Sequence, residues 1–223
     1  MERGAVGGKI GGGTSFSTMY PACCQANGVR VTVLAMSTPR RRATYDDLVK
    51  VPEPLVAELV DGELFTSPRP SFRHAAVSSA LGMALATLHG VAGPGRPGGW
   101  WILDAPELHF GDDVLVPDAA GWRHERMPRV PGDVVGCTLA PDWACEVISP
   151  STGYLDRTRK MPVYARGGVA HLWLIDPSPR TLEVYRLEEA RWVVAATYGG
   201  ALTVRAEPFE DVEIDLRRLW GDA

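Results

Sequence analysis

An apolar run that carries a single acid constrains this chain more than any other feature. Trp143-Ala-Cys-Glu146-Val-Ile-Ser149 reads as a central strand from Asp142 to Ile148, bounded by Ser149-Pro-Ser-Thr152. A helical pattern follows over roughly Leu155–Arg166 and closes at Gly167-Gly168, and His171–Asp176 is the next apolar strand. A strand, a helix and a strand in that order predict a right-handed crossover in an α/β sheet. Pro162 lies inside the helix, where it removes a hydrogen bond and should kink or shorten it.

Glu146 sits where the strand should be mostly buried, and a buried glutamate needs a cation, whether a neighbouring arginine or a metal. A second acid lies in similar surroundings, in Val114-Leu-Val-Pro-Asp118-Ala-Ala, read as one strand over Val114–Ala119. Pro117 lacks a donor and suits a strand end or edge; Pro-Asp alone usually means a turn. Lys160 lies 14 residues beyond Glu146 on the following helix, with Asp156 four positions before it in the favourable order for an ion pair. Taken alone, that lysine reads as part of a solvated helix face. Two acids in apolar strands and one amine on the adjoining helix suggest a divalent metal beside a basic group, which suits phosphodiester hydrolysis.

The folded domain is expected over 44–223, after an N-terminal extension over 1–43. The Gly-rich Gly7–Gly13 and the Ser/Thr-rich piece after it cannot bury enough apolar surface to offset ordering. Val29–Leu34 is an isolated candidate strand, and Arg40–Arg42 a basic cluster at the domain edge. Thr44 can cap a short helix over Tyr45–Val49. Leu55–Val60 and Glu63–Thr66 flank Asp61-Gly62, a hairpin signal. In the first of these strands Val56, Glu58 and Val60 share a face, so Glu58 either points inward to a site or guards an edge. Ser71 to Leu88 has helical spacing and ends at the Gly/Pro-rich Gly90–Gly99. Trp100–Leu103 and Glu107–Phe110 are further strands, Glu125–Gly136 is a loop, and Thr181–Leu187 with Trp192–Tyr198 form a meander.

Composition narrows the function from the other side. The formal net charge is −4, so the chain does not coat nucleic acid through bulk positive charge, and any polyanion must meet a local basic patch. Cys23, Cys24, Cys137 and Cys145 form no CxxC pair, which fits reduced thiols and a cytoplasmic protein. No apolar run approaches a membrane span, and no apolar stretch follows Arg3 and Lys9 as a secretory signal would require. The histidines show no HExxH spacing, and Gly11–Gly13 lacks the lysine and the strand-to-helix context of a phosphate loop. Trp100, Trp101, Trp143, Trp173 and Trp192 are expected in the core or on sheet faces.

Glu58-Leu-Val-Asp-Gly-Glu63, Ser67-Pro with His74 after it, Val116-Pro-Asp118, Glu146-Val-Ile-Ser-Pro-Ser-Thr152, Asp156, Lys160, Tyr164-Ala-Arg-Gly-Gly-Val169 and Leu172-Trp-Leu-Ile-Asp176 together form a pattern. The pattern resembles the Uma2 (Uma-two) family of restriction-endonuclease-like proteins in the PD-(D/E)XK nuclease superfamily, over about residues 44 to 220. The resemblance implies an α/β (α+β) restriction-endonuclease-like fold: a mixed central β-sheet flanked by helices, with an N-terminal β-hairpin and a C-terminal β-meander. It implies that Asp118 and Glu146 bind Mg²⁺ or Mn²⁺, that Glu58 adds a third acid, and that His74 and Asp156 lie nearby. Ile148 occupies the superfamily's usual lysine position, and the resemblance implies that the lysine has moved to Lys160. The expected activity is that of a metal-dependent DNA endonuclease, with RNA open as a substrate and a homodimer as the expected assembly. Arg69, Arg73, Arg157, Arg159 and Arg166 are candidates for the basic rim that the net charge does not provide. The alternatives are a catalytically inactive nuclease scaffold that binds nucleic acid or protein, and a metal hydrolase acting on a small phosphoester or on RNA.

Overall fold

The computed structural model describes residues 41–90 and 98–222. The expected disordered extension, the Val29–Leu34 strand, Cys23 and Cys24 lie outside the described residues, and Arg41 and Arg42 lie inside them. Arg41 donates to Asp47 at 2.9 Å. Helix α1 (Tyr45–Leu48) begins at Thr44, whose backbone N–H donates to the Asp47 carboxylate at 2.9 Å.

Strands β1 (Leu55–Val60) and β2 (Glu63–Pro68) form the expected hairpin, with β2 running two residues past Thr66. Its turn has φ of 54° at Asp61 and 81° at Gly62. Positive φ at both central residues matches the twist of the flanking strands. Ser71 caps α2 (Phe72–Leu85) through its hydroxyl, which accepts from the His74 N–H, and a 3₁₀ turn over Ala86–His89 finishes the element. Val77, Leu81 and Leu85 form the buried stripe of this helix.

Strands β3 (Trp100–Asp104), β4 (Glu107–Phe110), β5 (Asp113–Leu115) and β6 (Ala119–Arg123) follow. The single strand expected over Val114–Ala119 is in fact two, in different sheets: β5 pairs with β1 and β4, whereas β6 pairs with β3 and β8. The chain crosses between sheets at Val116-Pro117-Asp118, and Pro117 cannot donate to a ladder. The expected loop over Glu125–Gly136 ends in β7 (Gly136–Cys137), a short parallel partner of β4.

Strand β8 (Trp143–Val147) leads into one continuous helical stretch. It comprises a turn α3 (Gly153–Leu155), a π-type segment (Asp156–Lys160) and α4 (Met161–Gly167), closed by Gly168 at φ 81°. The Met161 N–H reaches back five residues to the Asp156 carbonyl. Pro162 therefore does not break the helix: a widened turn just before it absorbs the missing donor. Strand β9 (His171–Asp176) returns parallel to β8, and β10 (Thr181–Glu188) and β11 (Arg191–Gly199) complete the antiparallel meander. A small pair, β12 (Thr203–Val204) and β13 (Ile214–Asp215), and α5 (Leu216–Trp220) end the chain, none of them anticipated from the sequence.

The result is a mixed α+β architecture. A five-stranded sheet in the order β2-β1-β5-β4-β7 stands beside a six-stranded sheet in the order β11-β10-β9-β8-β6-β3. Alternation along β8 and β9 feeds two cores. Trp143, Cys145, Val147, Trp173 and Ile175 pack with α2 and Phe209 on one face, whereas Ala144, Leu172 and Leu174 pack with Val163 and Tyr164 on the other. Trp100, Trp143 and Trp173 are core residues, and Trp101 and Trp192 are half-buried with their indole N–H groups on backbone carbonyls. Among the described residues no helix is long and apolar enough to cross a membrane.

Candidate active site

Four separate elements deliver acids to one place. In β1, alternation turns Glu58 inward, and its Oε1 accepts from the Val116 N–H at 2.8 Å. Glu58 therefore turns inward and does not guard an edge, since β1 lies between β2 and β5. Asp118 stands in the crossing between sheets, free of any ladder. Its Oδ2 accepts from the Val147 N–H at 2.7 Å, and its Oδ1 lies 2.5 Å from His74 Nε2 on α2. Glu146 comes from β8 and Asp156 from the π-type segment.

Lys160 ties these acids together. Its Nζ lies 2.7 Å from Glu146 Oε1, 2.8 Å from Glu58 Oε1 and 3.7 Å from Asp156 Oδ1. The solvated-face reading of this lysine is overturned, because Lys160 is 2% exposed. The partner of Glu146 is correspondingly a lysine and not an arginine. Asp156, Lys160 and Tyr164 recur every fourth residue through the widened turn, so all three point to the same buried side. Tyr164 was given no role from the sequence; its hydroxyl donates to Glu146 Oε1 at 2.5 Å. Only its place in the family-like pattern marked it, since an aromatic on an apolar helix face otherwise reads as core.

Acidic groups outnumber basic ones at this place. Glu58, Asp118, Glu146 and Asp156 face Lys160 and the imidazole of His74. Burial pushes the Glu146 carboxyl well above the usual carboxylate range; Lys160 opposes this, while Asp156, Asp118 and Glu58 add to it. Asp156 is likewise raised by burial. Burial alone would lower Lys160, but Glu146, Glu58 and Asp156 outweigh it and hold the amine charged. Burial and the neighbouring acids also raise the Tyr164 hydroxyl, so it stays a donor.

An excess of buried acid over buried base is the environment a hard cation relieves. The closest contacts of Lys160, the Val116 N–H and the Tyr164 hydroxyl to Glu58 and Glu146 fall on Oε1 in each case. Asp118 has both oxygens engaged, though each keeps a second lone pair. Among the described residues no three His, Cys, Asp or Glu side chains converge in metal-ligand geometry. Mg²⁺ needs only one or two protein carboxylates and completes its shell with water, so this donor set fits it.

The group opens to solvent through a cleft of about 430 Å³, whose lining includes Arg69, Ser71, His74, Pro117, Ser149 and Thr152. Of the expected basic rim, only Arg69 lines this cleft. Arg157 is not free, because it donates to Glu183 through two bonds of 2.9 and 2.8 Å. Arg159 sits 3.4 Å from Asp61 and 3.7 Å from Glu63, and Arg166 bonds Asp61 and Asp113 at 2.6 Å. These arginines fasten the crossover helix to its neighbours, since acids lie within their reach. Arg73 is exposed at the start of α2.

The chain matches the family model Uma2, described as "Putative restriction endonuclease", over residues 42–217. It belongs to the Uma2 family. The family match takes in β1, the Asp118 crossing, β8 and the helix bearing Lys160. A crystal structure titled as a putative nuclease belonging to DUF820, from Anabaena variabilis ATCC 29413, shares the fold. Its TM-score is 0.63 at 24% identity, covering 80% of this chain and 97% of that one. No curated protein matches the chain.

Proposed function

We propose that this Uma2 member is a metal-dependent DNA endonuclease that hydrolyses phosphodiester bonds. The observation that carries the reading is the meeting of Glu58, Asp118, Glu146 and Lys160, from four different elements, at the floor of one open cleft. Family membership supports the same reaction class.

Asp118 and Glu146 would hold Mg²⁺ or Mn²⁺, with Glu58 as the additional acid. When bound, the metal lowers the pKa of water and polarises the phosphoryl oxygen. The protein's own groups do the rest. Lys160 donates toward the attacking water or the scissile phosphate and stabilises negative charge as it develops. Glu58 and Asp156 keep that amine protonated and aimed into the cleft. His74 and the Val147 N–H fix the orientation of Asp118, as partners of ligating carboxylates do.

Plasmid nicking with Mg²⁺ or Mn²⁺ tests this, with an RNA substrate in parallel. The parent should nick, and Glu146→Gln and Lys160→Ala proteins of verified fold should lose activity by at least about 100-fold. Equal nicking by all three proteins would reject the assignment. A second reading, an inactive nuclease scaffold, draws on the engagement of Lys160 with both Glu58 and Glu146 at 2.8 and 2.7 Å, which closes the acids on one another. Calorimetry separates the two, since a scaffold takes up no Mn²⁺ at millimolar concentration.

A further inference from the structure

Among the described residues two aromatic side chains stand almost wholly in solvent, and each is close in sequence to residues that line the acid-floored cleft. Phe72 is 97% exposed and Tyr154 is 79% exposed, whereas the next most exposed large aromatic among the described residues, Tyr45, is 38% exposed. Phe72 lies between Ser71 and His74, which line the cleft; Tyr154 follows Ser149–Thr152, a separate stretch of the same lining. An exposed ring adds little to folding, because hydrophobic stabilisation scales with area removed from water.

The stretch around Phe72 is also cationic. Arg69 lines the cleft and Arg73 is exposed beside Phe72, in contrast to Arg157, Arg159 and Arg166, which acids neutralise. Helix α2 itself, Phe72–Leu85, contains no acid at all. Flat rings beside guanidinium groups that no acid pairs among the described residues complement a polymer that alternates flat bases with anionic phosphates. A duplex offers its phosphates but keeps its base faces stacked on one another. An unpaired strand offers both.

We propose that the cleft takes single-stranded DNA, with Phe72 and Tyr154 each stacking an unpaired base and Arg69 and Arg73 meeting the adjoining phosphates. The inference rests on the nuclease reading and deepens it: the buried acids serve cleavage, and the rings select the form of the strand. The outer face of α2 continues to Met83, 73% exposed, so a second copy of this chain is the rival occupant.

Fluorescence anisotropy with one labelled oligonucleotide, as single strand and as duplex, tests the proposal on the full chain with EDTA present. Phe72→Ala, Tyr154→Ala and Phe72→Trp proteins are compared with the parent after far-UV circular dichroism has shown the same fold. The parent should prefer the single strand. Each alanine should weaken single-strand binding about 5- to 150-fold and leave duplex binding unchanged, and Phe72→Trp should retain affinity. Unchanged single-strand affinity in both alanine proteins overturns the proposal. So does sedimentation showing that Phe72→Ala breaks a dimer while single-strand binding persists, which assigns the face to a second copy. A parent that cuts DNA beside unaffected variants removes the stacking inference alone. A parent that neither binds nor cuts any DNA removes the nuclease reading, and this proposal with it.

Discussion

Alternate residues of β8 face opposite ways, and the two sides they supply have opposite physics. Trp143, Cys145 and Val147 join a dry core in which Phe209 sits edge-on to Trp100, Trp143 and Trp173, with ring centroids 4.9, 5.0 and 5.4 Å apart. One residue along the same strand, Glu146 is just as buried but belongs to a cluster richer in acid than in base. The first face is stable for reasons contained in the protein, namely apolar area and close packing. The second is an incomplete electrostatic system, which is the usual condition of a binding or catalytic site.

The largest effects should come from breaking each face at its centre. Phe209→Ala should cost about 3–5 kcal/mol through a cavity. Lys160→Met should cost about 3–5 kcal/mol by leaving buried carboxylates without their cation. Urea unfolding measures both, and the difference between them lies in the Mn²⁺ response: folded Phe209→Ala protein keeps the parent's affinity. An Lys160→Met protein as stable as the parent would contradict the account of the acid face.

A somewhat smaller effect should come from the cation itself. Mn²⁺ at 100 times its Kd should stabilise the parent by about 2.7 kcal/mol and leave Glu146→Gln nearly unmoved. The pH dependence of the chelated protein has the same origin. Glu146 and Asp156 are raised in the folded state, so the native protein holds protons that the unfolded chain has released. The share of stability set by these two groups should therefore be greatest below the ordinary carboxylate range and fall as pH rises above it, with a flatter curve for Glu146→Gln. Unfolding free energies at pH 5 and pH 8 check the sign.

The smallest effect belongs to the dry face. A Cβ at Gly121 would lie 2.9 Å from Ile102 Cδ1 and 3.3 Å from the rings of Trp100 and Trp143. Gly121→Ala should then cost about 1–3 kcal/mol by overpacking, with metal affinity unchanged. A loss of Mn²⁺ binding in that protein would show that the two faces are mechanically coupled.

Much of the frame was legible beforehand because its rules are local. Alternation marked β1, apolar runs marked β8 and β9, the Asp61-Gly62 pair marked the hairpin turn, and Gly168 marked the end of α4. The split of Val114–Ala119 into two sheets was not legible, since a continuous apolar run gives no sign of which neighbours each half will pair with. The C-terminal pair β12–β13 is held to two ladder positions and leaves too short a pattern to read.

The sequence by itself determined that Glu58 and Glu146 would lie in apolar strands, that Lys160 would follow on a helix, and where the hairpin turn and the helix end would fall, because these follow from spacing within a few residues. Only the tertiary structure decided that Lys160 turns inward, that Tyr164 and His74 hold the acids, and that Arg157 and Arg159 are already paired. The physical reason is the range of the interaction. An ammonium is buried only where distant carboxylates compensate its lost hydration, and those partners come from elements that meet only when the chain has folded.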